Sequence, residues 1–149
     1  MNQEQSNALL IRYLRGRATT IRVVRPLDAE ALAFRVARAA RSISELVAHT
    51  AWDDHHWAGD IFRDGRRVTD AAPPMSGENA ARTLELSRDR LYGWLKDPEA
   101  MSRIYVTPAG NPWTGADALM QIILHETHHR AQIALSLRAH GQPTEVPLP

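Results

Sequence analysis

The chain has 149 residues, 44% hydrophobic and 23% charged, with a formal net charge of +1 from 18 basic and 17 acidic residues. That length suits a single domain spanning residues 1–149, and the charge balance leaves no electrostatic footprint for nucleic acid. Cysteine is absent, which excludes a disulfide framework, a thiolate metal site and a cysteine nucleophile.

No run of about 18 uncharged apolar residues exists, so no membrane span is expected. The opening Met1-Asn2-Gln3-Glu4-Gln5-Ser6-Asn7 lacks the basic start and apolar core of a secretory signal, and a cytoplasmic location is the expectation. Residues 3–24 place Leu10, Leu14, Ile21 and Val24 at bundle-helix spacing. Gly16 weakens the middle of this helix and Pro26 stops it. Residues 27–41 read as a connector with one helical turn at Asp28–Leu32.

Ser42-Ile43-Ser44-Glu45 reads as a capping box that opens a second helix running to about Phe62. Ile43, Leu46, Trp57 and Ile61 form its apolar stripe. Beside that stripe lie His49, Asp53, His56 and Asp60, all side chains able to bind metal. Asp64-Gly65 and Ala71-Ala72-Pro73-Pro74 bracket a loop. Ser76 caps a third helix with Leu84, Leu91, Trp94 and Leu95 on its buried face, and Asp97-Pro98 ends it. Residues 99–113 are irregular, with Ile104-Tyr105-Val106 as a β-prone piece in a loop or a minor hairpin. Thr114-Gly115-Ala116-Asp117 starts a fourth helix, Gly141 closes it, and Pro143, Pro147 and Pro149 mark an extended tail. Four long helices imply an all-α four-helix bundle, whose metal sites form from side chains on facing helices.

His125 and His129 lie one turn apart on the fourth helix and point the same way. His49, inward on the second helix, is the candidate third ligand. A lone inward histidine is more often a satisfied core residue than a ligand, but three at compatible positions favour a metal. Neutral imidazole suits Zn, Ni, Co or Fe, with Mn a further possibility, and three ligands leave positions open for water or substrate. His55, His56, His128 and His140 are expected at the surface. Asp53 and Glu126 are the candidate catalytic or proton-shuttling groups. His125-Glu126-Thr127-His128-His129 also fits the His-Glu-x-x-His pattern of zinc proteases. Gln132 and Leu135, however, occupy the places where the longer protease pattern has Gly and His, and no sheet is evident to hold a peptide.

Three stretches carry a family resemblance: Arg41 to His49, His125 to Ile133, and Leu137-Arg138-Ala139-His140-Gly141. Together they resemble the DinB-like (YfiT-like) superfamily of metalloenzymes, whose usual motif has Gly at the place of Ala131. The resemblance implies an up-down four-helix bundle with a divalent metal on His49, His125 and His129, often as a homodimer. It also implies chemistry with small thiols such as bacillithiol or mycothiol, since some relatives are transferases or isomerases that use them. The expected function is therefore a metal-dependent transferase or hydrolase acting on a small molecule. The alternative is a non-catalytic metal-binding, stress-response or structural dimeric bundle, its site closed by Asp53 or His56. Trp57 is assigned to the core. Trp52 is assigned to a substrate pocket or to a dimer contact in which the first and second long helices take part.

Overall fold

A computed structural model describes residues 3–62, 72–107 and 109–142. Its elements are α1 (Gln3–Val24), α2 (Ala29–Ala33), α3 (Ile43–Phe62), α4 (Gly77–Leu95), α5 (Pro98–Ser102), β1 (Ile104–Val106), β2 (Pro112–Thr114) and α6 (Gly115–Ala139). The Asp60 and Ile61 side chains, the loop opening at Asp64-Gly65, and the tail with Pro143, Pro147 and Pro149 lie outside the described residues. Among the described residues, no helix is long and apolar enough to cross a membrane.

The helix starts follow from local chemistry. At α3 the Ser42 hydroxyl accepts from the Glu45 amide at 3.2 Å and the Glu45 carboxylate accepts from the Ser42 amide at 2.8 Å. This reciprocal cap satisfies two amides that have no partner inside the helix. Thr114 and Asp117 make the same box on α6, Ser76 caps α4, and Asp28 caps α2 at 2.8 Å. Gly141 ends α6 with φ +85°, a left-handed conformation that suits glycine. The segment after α5 is the minor hairpin: β1 and β2 pair antiparallel, with Tyr105 opposite Trp113.

The expected all-α four-helix bundle is built from α1, α3, α4 and α6. Helix α1 packs on α4 and α6, and α3 packs on the same two, so α1 and α3 are diagonal. One apolar cluster joins the end of α1 (Ile21, Val24) to the starts of α3 and α4 (Ile43, Leu46, Ala80, Leu84) and the end of α6 (Ile133, Leu137). The other joins Tyr13 of α1 to the end of α4 (Leu91, Leu95) and the start of α6 (Leu119, Ile122). The order of directions is therefore up-down-down-up rather than strict alternation, with α3 parallel to α4 and α1 parallel to α6. Fourteen residues separate Phe62 from Gly77. That is chain enough, at ~3.3 Å per extended residue, to return along a 20-residue helix of about 30 Å.

Glycine at 77 is set by close approach. A Cβ there would lie 2.2 Å from the Arg25 carbonyl oxygen and 2.6 Å from that of Leu27. The bare backbone lets the Gly77 amide donate to Leu27 O at 3.0 Å, tying the start of α4 to the chain leaving α1.

Between the two apolar clusters lies a polar layer in which Arg17 is fully buried. Its Nη1 lies 2.7 Å from Asp54 Oδ2 of α3 and its Nε 3.1 Å from Glu126 Oε1 of α6. Nη1 also donates to Ser87 Oγ of α4 at 2.8 Å. Tyr13 OH and Ser87 Oγ donate to Asp54 Oδ2 at 3.2 and 3.0 Å. Thr20 Oγ1 donates to Glu126 Oε1 at 2.8 Å. One guanidinium thus touches all three other long helices. Burial works against its charge, but the Asp54 and Glu126 carboxylates outweigh that penalty and raise its pKa well above the ordinary arginine value. Burial also raises the Asp54 pKa, with Arg17 opposing it.

Removing one partner of such a cluster strands the rest in a dry interior. Arg17→Met should cost about 3–5 kcal/mol, because it leaves two carboxylates without their cation. Asp54→Asn should cost less, since Arg17 keeps Glu126. Urea denaturation of the three proteins checks this, and an Asp54→Asn loss exceeding that of Arg17→Met would contradict it.

Candidate metal centre

The histidines are positioned by two antiparallel neighbours, α3 and α6. His125 and His129 sit on successive turns of α6, and His49 on α3 projects toward them from nearly two turns inside its start. One ring nitrogen from each of the three lies within 4.8 Å of the others. The rings meet edge to face, with centroids 5.1 Å apart for His49 and His125, 4.9 Å for His49 and His129, and 4.3 Å for His125 and His129. His129 is buried at 4% exposure, while His49 and His125 are half-buried.

Hydrogen bonds fix which nitrogen of each α6 ring is free. His125 Nδ1 lies 2.9 Å from Asp53 Oδ2, and His129 Nδ1 lies 2.6 Å from Gln132 Oε1. A carboxylate and an amide oxygen only accept, so both Nδ1 atoms carry the proton. Nε2 of each ring is then left as a bare lone pair, and the two Nε2 atoms face each other at 2.9 Å. Two lone pairs at that distance repel unless a cation lies between or beside them. Ligands around a zinc ion at ~2.0–2.1 Å stand about 3.3–3.5 Å apart in a tetrahedral arrangement, so the three imidazoles fit a divalent ion after a small adjustment. Partners on the far ring nitrogen, such as Asp53 and Gln132, orient histidine ligands and raise their basicity.

The local field also keeps the site ready for a cation ligand. Burial, opposed by the Gln132 hydrogen bond and helped by the neighbouring His125, His49 and His128, pushes the His129 pKa down to about 4. Burial, then Arg41 and His125, lower that of His49. Neutral imidazole is the form that binds metal.

The other candidate residues divide between this site and elsewhere. Asp53 is at the site, where its Oδ2 also accepts from Trp57 Nε1 at 3.1 Å. Glu126, although next to His125 in sequence, faces the other way and belongs to the Arg17 layer. His128 is exposed and reaches the group only through an edge contact with His129, centroids 5.2 Å apart. His56 is exposed and stacks on Trp52 at 4.8 Å, and Trp52 in turn stacks beside His49 at 6.1 Å. Trp57, expected in the core, packs half-buried against the second apolar cluster and stacks on Trp113 at 5.2 Å. His140 is half-buried rather than at the surface, packed edge-on against Phe34 at 4.9 Å. Gln132 was not anticipated as a partner of His129; its place three residues on, one turn along the same helix, was the available signal.

Comparison with known proteins finds the same fold elsewhere. A DinB-like protein of Bacillus subtilis superposes with a TM-score of 0.72 at 22% identity, over 94% of this chain and 95% of that one. One from Bacillus cereus gives 0.75 at 19%, over 95% of each. YfiT of Bacillus subtilis, described as a probable metal-dependent hydrolase with an unusual four-helix bundle topology, gives 0.72 at 16%, over 95% of this chain and 91% of that one. A search of functionally curated proteins finds no match. The DinB family profile matches residues 1–146, nearly the whole chain, and the protein belongs to the DinB family.

Proposed function

We propose that His49, His125 and His129 hold a divalent metal ion, zinc or nickel by donor preference, and that the protein is a metal-dependent hydrolase or transferase acting on a small molecule. The observation that carries this reading is that Nε2 of His125 and Nε2 of His129 face each other at 2.9 Å beside His49, while each Nδ1 lies against an oxygen of Asp53 or Gln132. YfiT, described as a probable metal-dependent hydrolase, shares the fold and supports the same class.

When bound, such an ion lowers the pKa of a water or thiol so that a nucleophile exists near neutral pH. The protein's own groups supply orientation. Asp53 accepts a hydrogen bond from His125 Nδ1 and is itself fixed by the Trp57 indole, so His125 turns only as far as that chain of contacts permits. Asp53 Oδ2 therefore has two donors already, which favours its role as an orienting group over that of a fourth ligand. His56 is stacked on Trp52 and does not join the cluster. Both points favour open positions, and hence chemistry, over the non-catalytic alternative. Trp52 forms an apolar wall beside His49 of the kind a small-molecule pocket needs. Because the chain has no cysteine, a thiol reaction would take its thiol from a small molecule such as bacillithiol or mycothiol. Turnover assays of the metal-loaded protein, with and without such a thiol, test the enzymatic part directly.

His49→Ala, His125→Ala and His129→Ala should each lose most bound metal, whereas His128→Ala and His140→Ala should keep it. Asp53→Ala should weaken metal affinity about 10–100-fold, the usual effect of losing a ligand's hydrogen-bond partner. Elemental analysis after gel filtration reads all of these, and metal that survives loss of His49 but disappears with His128 would contradict the ligand set.

The depressed His129 pKa gives a second expectation, for the metal-free protein. Its folded-state value is about 4 and its unfolded value ~6.5, so the unfolded chain takes up a proton that the folded one refuses. The stability contribution is complete above about 6.5 and is lost as pH falls toward about 4. Thermal melts from pH 7 to 4 should show this loss, and it should shrink in His129→Gln; an identical pH profile in both proteins would contradict it.

A further inference from the structure

Helix α6 has a second working face. His125, His129 and Gln132 turn toward α3, whereas Ile123, Glu126, Thr127 and Arg130 turn toward α1 and line a groove of about 660 Å³ between α1 and α6. That volume is in the range of small-molecule sites. The groove is separate from the histidine cluster and shares no residue with it.

Its chemistry is lopsided. Arg130 is only 9% exposed, yet among the described residues no carboxylate lies within ion-pair distance of it. Its polar contact is with Thr127 Oγ1, at a long 3.4 Å. The guanidinium lies against Gly16, where an added Cβ would sit 3.0 Å from Nη1. Arg12 and Arg15 of α1 stand on the same groove, also without an ion pair to a described carboxylate. The nearest acid, Glu126, is committed to Arg17 and Thr20. Beside these charges Met120 and Leu124, one turn apart on α6, are left 38% and 55% exposed. A nearly buried guanidinium without a counter-ion is costly to keep, and a planar donor fork matches a carboxylate or phosphate.

We propose that this groove is a second ligand site for a small amphipathic oxyanion, a carboxylate or phosphate monoester on an apolar tail. Arg130, with Arg12 and Arg15 at the rim, takes the headgroup, and Met120, Ile123 and Leu124 take the tail. Charge complementarity favours this occupant over a second copy of the chain. A two-fold contact would set the same arginine cluster against itself, and opposed like charges are costly.

Calorimetric titration of the metal-loaded protein with decanoate and with decyl phosphate tests the site, with acetate and inorganic phosphate as headgroup-only controls. At least one of the long-chain ligands should bind once per chain, and about tenfold or more tighter than its control; the tighter of the two identifies the headgroup. Arg130→Gln should weaken that binding about tenfold or more, the effect of one charge-assisted contact. The surface double variant Arg12→Gln/Arg15→Gln should weaken it as well, and decides the matter if Arg130→Gln fails to fold. His125→Ala, titrated without added metal beside the metal-free wild type, should bind as that wild type does. Absence of binding by both ligands, affinity indifferent to the arginine substitutions, or loss of binding in His125→Ala would overturn the proposal. So would self-association of the wild type that Leu124→Asp abolishes, which would give the groove to a second copy.

Discussion

The contact of Arg17 with Asp54 and Glu126 is the constraint on which the rest of the molecule depends. It is the place where α1 grips α3 and α6 together, and through Ser87 it takes in α4. Its two carboxylates are sequence neighbours of the metal centre's parts. Asp54 follows Asp53, and Glu126 follows His125. On a helix, adjacent residues project about 100° apart, so holding the second of each pair in the core aims the first at the α3–α6 surface. The 2.9 Å contact between His125 and Asp53 is thus set by a buried ion pair one residue away on each helix. A wholly apolar layer could pack the bundle as well, but it would leave the relative slide of α3 and α6 less defined. That slide determines whether His49 reaches His125 and His129.

The same layer explains how one helix serves two surfaces. Helix α6 gives His125 and His129 to α3, Glu126 to the centre, and Arg130 to the groove on α1. Its apolar anchors, Leu119, Ile122, Ile133 and Leu137, lie toward its two ends, where the two clusters close the bundle. The middle of the helix carries the polar residues. Helix α6 runs antiparallel to α3 and parallel to α1, and its polar middle lies between the two apolar clusters that close the bundle's ends.

What the sequence revealed was whatever short-range chemistry encodes. The caps at Ser42, Ser76 and Thr114 are readable because donor and acceptor lie within three residues. His125 and His129 are readable because four residues make one turn. His49 was within reach because a histidine inside an apolar helix face calls for an explanation. Arg17 gave no such signal. It is one arginine among many in an arginine-rich chain, and its partners Asp54 and Glu126 lie far along the sequence, the latter 109 residues away. Glu126 read as a candidate catalytic group because its neighbours are histidines, and only the rotation of α6 against α1 shows where it points. The directions of the helices were hidden as well, since a 14-residue connection between Phe62 and Gly77 permits either a turn or a return along the bundle. Gln132 shows how a local signal can be present and pass unremarked: it stands three residues from His129, and its role appears only once the ring orientation is known.

The central claim is that three imidazoles from α3 and α6, and no carboxylate, form the protein's share of a metal's first shell. X-ray absorption at the metal edge of the zinc- or nickel-loaded protein tests this most directly. The account predicts a shell with three imidazole ligands completed by light non-protein donors. A shell with fewer than three imidazoles, or one that changes when Asp53 is replaced by Asn in the way loss of a bound carboxylate requires, would contradict it.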